Sequence, residues 1–116
     1  MIEQVVEAIR AHRYHFSNEA ELQDGIEKVL QFHKIDMERE VRLSAHDRID
    51  FLCGRVGVEI KIAGSAAAVQ RQLARYAAHG SIDGLILVTD RCQAGVQPKI
   101  LNGKPLRIVA LLSGLA

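Results

Sequence analysis

Two acidic residues and a lysine lie close together in the segment RIDFLCGRVGVEIKI, which spans residues 48–62. If Gly54 begins a two-residue type II′ turn, counting outwards from the turn places Asp50 opposite Glu59 on the neighbouring strand. Directly opposed carboxylates repel each other, and a cation between them reverses the sign of that interaction. Lys61, two residues beyond Glu59, projects from the same face. The three side chains therefore predict a site for a hard cation such as Mg²⁺, with room for a phosphate.

The same residues are also typical of a solvated hairpin face, because acids and lysines are common on exposed strands. The next helix favours a functional site, since Gln72 and Tyr76 lie four residues apart and share one helix face. Arg71 and Arg75 have the same spacing, and we interpret them as a solvated or phosphate-facing stripe.

Three helices are predicted around these residues. Apolar residues three and four positions apart predict a first amphipathic helix at about 2–13 and a second one that begins after Asn18. Asn18 is a suitable N-cap, with Glu21 at the third position after it. Ser65 can cap a third helix over about 66–78.

From Glu40 the hydrophobic period changes to two, which predicts three strands that each bury one face. The residues predicted to face the core are Ile49, Phe51 and Cys53 in the second strand and Val56, Val58, Ile60 and Ile62 in the third.

Two later apolar runs, at 84–89 and 106–112, predict strands, and the first has the composition of a central strand covered on both faces. Between them, Asn102 and Gly103 fit either a hairpin turn or the end of a short helix that begins at Pro98. The element order predicts an α/β sandwich with a mixed sheet.

Length and composition limit the class of protein. A chain of 116 residues with 48% hydrophobic and 25% charged residues is expected to form a single domain, 1–116, with a real core. The net charge is +1, but residues 17–40 carry seven acids and three bases, whereas residues 41–116 carry five acids and ten bases. No apolar run approaches the length of a membrane span, and no secretion signal is recognisable, so we expect a cytoplasmic protein.

Other candidate sites are weaker. The five histidines are dispersed, and His12 with His15 would offer only two ligands, too few for a structural zinc site. We expect solvated or backbone-bonded histidines instead. Cys53 is predicted to lie in the core and Cys92 in a loop, and neither has the setting of a nucleophile.

The motif and the element order resemble the PD-(D/E)xK nuclease superfamily, which has the restriction-endonuclease-like fold and includes Holliday-junction resolvases. The resemblance spans about Asn18 to Val88 and follows the αβββαβ order of the family core, with the helix at 2–13 as an addition. Ile49 stands where the family name has proline, a position that varies widely in this superfamily.

The resemblance implies a role for each matching residue. Asp50 matches the first metal-binding aspartate, Glu59 the second acid, and Lys61 the lysine of the E-x-K signature. The main-chain carbonyl of Ile60 would be a further metal ligand. Such families often add an acid from the first core helix, a role that Glu19 fits because it continues the buried stripe of its helix.

Two assignments near this motif are less direct. Glu21 competes with Glu19 for the role of the helix acid, although its position after Asn18 favours capping. Gln72 and Tyr76 match the Q-x-x-x-Y element that some branches of the superfamily carry.

The implied activity is Mg²⁺-dependent hydrolysis of phosphodiester bonds in DNA, with Mn²⁺ able to substitute and with structure-selective or nonspecific cutting. A non-catalytic module that binds nucleic acid or protein, and an RNA-processing nuclease, are the alternatives. Because one small site cuts one strand of a duplex, we also expect a homodimer, with the apolar stripe of the first helix as its surface.

Overall fold

The structure is a computed structural model that describes residues 1–62, 65–90 and 99–111. Three helices are present in these ranges: α1 (Ile2–Arg10), α2 (Glu19–Phe32) and α3 (Ala66–Ala77). The strands in the same ranges are β1 (Glu38–Arg42), β2 (Arg48–Cys53), β3 (Val56–Ile60), β4 (Gly84–Thr89), β5 (Lys99–Leu101) and β6 (Lys104–Ala110).

The strands form one mixed sheet in the order β1-β2-β3-β4-β6-β5. Strand β4 pairs in parallel with both β3 and β6, and the other pairs are antiparallel. Helices α1 and α2 pack on one face of the sheet and α3 packs on the other. The predicted α/β class, the mixed sheet and the central position of the 84–89 strand are confirmed.

The predicted caps of the second and third helices are confirmed. The side chain of Asn18 accepts the N–H of Glu21, and that of Ser65 accepts the N–H of Ala68. Helix α1 is shorter than predicted and ends at Arg10. The chain leaves the helix there, and the hydroxyl of Tyr14 donates to the carbonyl of Ile9.

Helix α1 buries its apolar stripe, with Val5, Val6 and Ile9 no more than 1% exposed. The prediction that this stripe forms a dimer surface is therefore wrong, because the helix uses it to cover one face of the sheet. No helix in the described part of the chain has the length and hydrophobicity of a membrane span.

The two hairpins of the described residues that have two-residue turns, β2–β3 and β5–β6, follow from local residue preference. Gly54 has a φ of +62° and Arg55 does not have a positive φ, which is the type II′ geometry predicted for this turn. Asn102 and Gly103 have φ values of 50° and 75°, which identifies a type I′ turn between β5 and β6. The hairpin alternative is thus confirmed for this segment, and the helical alternative is wrong.

The prediction that Ile49 shares a face with Phe51 and Cys53 is also wrong. Phe51 and Cys53 pack with α1 and α2, whereas Ile49 packs with α3. There Ile49 occupies the space above Gly57, where an added Cβ would collide with its Cδ1 atom. Strand β2 therefore changes its buried face at Asp50, which a strict period of two does not anticipate.

Candidate active site

The sheet opens into a fork at Asp50 and Glu59. The ladder between β2 and β3 runs from the turn to the pair Phe51 and Val58 and stops there. Beyond this point β2 continues beside β1, while β3 remains joined to β4, with the N–H of Lys61 donating to the carbonyl of Val88 at 2.9 Å. The two predicted acids therefore lie where the neighbouring strands separate.

Each acid accepts a main-chain hydrogen bond from the strand opposite. The N–H of Ile60 donates to Oδ2 of Asp50 at 2.8 Å, and the N–H of Asp50 donates to Oε1 of Glu59 at 3.2 Å. Because the N–H and C=O of a strand residue point to the same side, the carbonyl of Ile60 also faces the fork. The two carboxylates and this carbonyl supply three oxygen donors at one place.

Burial controls the ionisation of the carboxylate pair. Glu59 is 3% exposed, and burial followed by the charge of Asp50 raises its pKa to about 8. Burial also raises the pKa of Asp50, although the N–H of Ile60 and the charge of Lys61 act against this shift. The proximity of the two carboxyls acts to lower the pKa of Asp50 and to raise that of Glu59, so the higher pKa of the pair belongs to Glu59.

Lys61 provides positive charge beside the pair. Its Nζ atom lies 3.8 Å from Oε2 of Glu59, and its side chain is 30% exposed. A partly exposed ammonium group at this distance can contact a bound anion as well as the carboxylate.

Tyr76 closes the buried side of the site. It is fully buried, and its hydroxyl donates to the carbonyl of Arg48 at 2.9 Å and lies 3.4 Å from Oε2 of Glu59. Gln72 donates its amide N–H to the same hydroxyl at 2.8 Å. The two residues share a helix face as predicted, but Gln72 is connected to Glu59 through Tyr76.

An anchor that the sequence did not reveal holds α3 against the start of β2. Asp47 is buried and accepts bonds from Arg75 at 3.1 Å and from His79 at 3.3 Å. Burial acts to raise the pKa of Asp47, but the bonds from His79 and Arg75 outweigh it and lower the pKa. Arg75 is thus part of this anchor, not of a free basic stripe. The sequence feature that could have indicated an ordered Asp47 is Ser44, whose hydroxyl accepts the N–H of Asp47 in the turn before β2.

The two candidate helix acids have different partners. Oε1 of Glu21 accepts the N–H of Ser17, so Glu21 takes part in capping α2. Oε2 of Glu19 accepts the N–H of Ile62 at 3.2 Å, and its charge acts to raise the pKa of Asp50. Glu19 therefore points towards the fork.

The donor set suits a hard cation that keeps part of its water shell. Within residues 1–62, 65–90 and 99–111, no group of three or more His, Cys, Asp and Glu side chains is placed to hold a metal ion. Asp50 and Glu59 are two carboxylates, and Mg²⁺ is commonly bound by one or two carboxylates with water and phosphate oxygens completing the shell. The role of Glu19 as a further ligand stays a prediction.

The cysteines do not compete with this site. Cys53 is buried, as predicted, and burial raises the pKa of its thiol to about 11, which suppresses the nucleophilic thiolate. Cys92 lies outside the described residues.

Comparison with known proteins finds no match to this chain among protein-family models, curated proteins or solved structures. A function for the chain must therefore be argued from its own residues.

Proposed function

We propose that this chain is a metal-dependent nuclease with a restriction-endonuclease-like fold, and that it hydrolyses phosphodiester bonds in DNA. The observation that carries the proposal is the carboxylate pair in a fork of the sheet beside Lys61, in which Glu59 is buried and Asp50 is half-buried. A buried acid beside a second carboxyl is costly to keep in a protein whose only role is structural. The order of α2, the three strands, α3 and β4 agrees with the family core that the motif resembles.

Different residues of the site would bind the metal ion and stabilise the transition state. Asp50, Glu59 and the carbonyl of Ile60 would hold Mg²⁺ or Mn²⁺, which supplies a water of lowered pKa and neutralises charge on the phosphate. The ammonium group of Lys61 would orient that water or stabilise the negative charge that develops on the phosphate.

Tyr76 and Gln72 have a supporting role in this proposal. The hydroxyl of Tyr76 lies beside Glu59 and is held between the carbonyl of Arg48 and the amide of Gln72. These contacts restrict the orientation of the Glu59 carboxylate, which preserves the geometry needed for metal binding.

The direct test is an assay of the purified protein with Mg²⁺ against linear, circular, single-stranded and four-way-junction DNA, with RNA in parallel. Cleavage of any of the DNA substrates, abolished by EDTA and restored by Mg²⁺ or Mn²⁺, is the expected result. Cleavage of RNA alone would make the chain an RNA-processing nuclease. Tight binding without cleavage at any metal concentration would favour the non-catalytic module.

Substitutions of the two acids at the start of α2, Glu19 and Glu21, should have different effects on cleavage and on stability. We expect Glu19→Ala to lower the cleavage rate more than Glu21→Ala, because Glu19 points to the fork and Glu21 caps the helix. Glu21→Ala should instead lower the free energy of unfolding by about 1 kcal/mol. Cleavage rates and urea unfolding of both variants measure this, and the reverse order would assign the helix acid to Glu21.

Cutting both strands of a duplex calls for two sites, so we expect a homodimer on DNA. The stripe on α1 is buried and cannot form its interface. Sedimentation of the protein alone, with a nicked duplex and with an intact duplex measures the assembly state. The dimer would be contradicted if the protein sediments as a monomer at a concentration at which it cuts both strands in a single binding event.

A further inference from the structure

Two histidines that are far apart in the sequence meet at one end of the α1 and α2 pair. His12 follows the last turn of α1, and His33 is the C-cap of α2. Their Nε2 atoms lie 2.8 Å apart across a separation of 21 residues. The expectation that the histidines are dispersed is therefore wrong for this pair, because the packing of α1 on α2 brings them together.

The contact requires a lone pair on the Nε2 atom of one of the two rings. One Nε2 must carry a hydrogen and the other must present its lone pair, and two protonated rings at this distance would repel each other. A neutral imidazole is the form that binds metal ions. The ring that accepts this hydrogen bond thus presents the lone pair that a metal ion requires, and the other ring binds once it has lost its Nε2 hydrogen.

Phe32 keeps the two rings in place. Its ring contacts that of His12 with centroids 5.5 Å apart and that of His33 with centroids 5.2 Å apart, both edge to face. The His12 and His33 rings are themselves at an interplanar angle of 82°. Three rings that restrain one another lose less rotamer freedom when a ligand binds.

From this geometry we infer that His12 and His33 form a second metal site, for a divalent transition ion such as Cu²⁺, Ni²⁺ or Zn²⁺. Two nitrogens bound at about 2.0 Å and at a right angle to each other lie about 2.8 Å apart, which is the arrangement in square-planar and octahedral complexes. The observed separation of 2.8 Å equals this spacing, and the ring centroids, which lie 5.0 Å apart, show that the two nitrogens face each other, so each ring turns to direct its lone pair at the shared ion. Water or an exogenous ligand completes the shell.

The site differs in chemistry from the carboxylate fork. Imidazole nitrogens suit Cu²⁺, Ni²⁺ and Zn²⁺, whereas carboxylate and carbonyl oxygens suit Mg²⁺ and Mn²⁺. Both histidines also lie at helix C-terminal ends, where the helix dipole favours a cation. The order of affinity should follow Cu²⁺, then Ni²⁺ and Zn²⁺.

Calorimetric titration with NiCl₂, in buffer that contains millimolar MgCl₂ to occupy the carboxylate fork, tests the inference. Wild type should take up one Ni²⁺ per chain. His12→Ala and His33→Ala should each weaken binding by at least about tenfold, because each removes one of two protein ligands. His46→Ala, which removes an exposed histidine from the turn between β1 and β2, is the matched control and should bind as wild type does.

Pulsed EPR of the Cu²⁺ complex should show two coordinated imidazole nitrogens in wild type and one in either variant. Thermal melts without metal verify that the variants are folded, which is expected because His33 is exposed and His12 is only half-buried. Unchanged Ni²⁺ affinity in both variants, loss of binding in His46→Ala, or no uptake by wild type would overturn the site. None of these results depends on nuclease activity.

Discussion

Replacing Asp50, Glu59 or Lys61 by alanine is expected to lower the rate of Mg²⁺-dependent DNA cleavage by at least about a hundredfold. A hundredfold loss corresponds to about 2.7 kcal/mol of transition-state stabilisation, which is typical when a metal ligand or a charge-stabilising group is removed. Single-turnover cleavage of the preferred DNA substrate measures the chemical step without interference from product release.

Two controls make this prediction specific. Glu38→Ala removes an exposed acid from the neighbouring strand β1 and should cleave at the wild-type rate. Asp50→Asn keeps the shape of the side chain, so it should still bind DNA while cleavage is lost. Wild-type cleavage rates in the alanine variants of all three residues would exclude the fork as the active site.

In the metal-free protein, the free energy of unfolding is expected to fall as the pH rises from about 4.5 to about 8. The pKa of Glu59 is raised in the folded state from its ordinary value of 4.5 to about 8. Over this pH window the unfolded chain releases the Glu59 proton while the folded protein retains it. The unfolded state therefore binds fewer protons, and stability decreases with pH by at most about 1.4 kcal/mol per unit.

Glu59→Gln should remove most of this pH dependence and be more stable than wild type at pH 8 without metal, because an amide cannot ionise. Urea unfolding in EDTA at several pH values measures both effects, with Glu38→Gln as the exposed control. A wild-type protein whose stability is as independent of pH as that of Glu59→Gln would contradict the raised pKa of Glu59.

Addition of Mg²⁺ should restore the stability that wild type loses as the pH rises, since metal binding favours the ionised carboxylates. At ten times the Kd the gain is about 1.4 kcal/mol, and it should be largest at high pH. Asp50→Asn should gain much less. Equal Mg²⁺ shifts in wild type and Asp50→Asn would remove Asp50 from the metal site.

Much of this architecture is local in origin and was predicted from the sequence. The caps at Asn18 and Ser65 and the turn at Gly54 depend on residues within four positions of each other. A two-residue turn also sets the register of its hairpin, which is why the sequence alone placed Asp50 opposite Glu59. The α/β order follows from the changes of hydrophobic period along the chain.

Tertiary packing decided the features that require distant residues to meet. The fork at Asp50 depends on β2 following β1 while β3 follows β4, and Ile49 lies on the other face of the sheet from Phe51. The alternation of apolar and polar residues describes one strand in isolation, so it does not predict where the neighbouring strands β2 and β3 separate.

The same holds for the contacts around the two sites. The Tyr76 hydroxyl lies beside Glu59, and His12 lies beside His33, across separations of 17 and 21 residues. Spacing along a helix or strand determines which face a side chain occupies, and the sequence determined that much for Gln72 and Tyr76. Which groups on two such faces touch is decided by how the elements pack, and local periodicity carries no information about it.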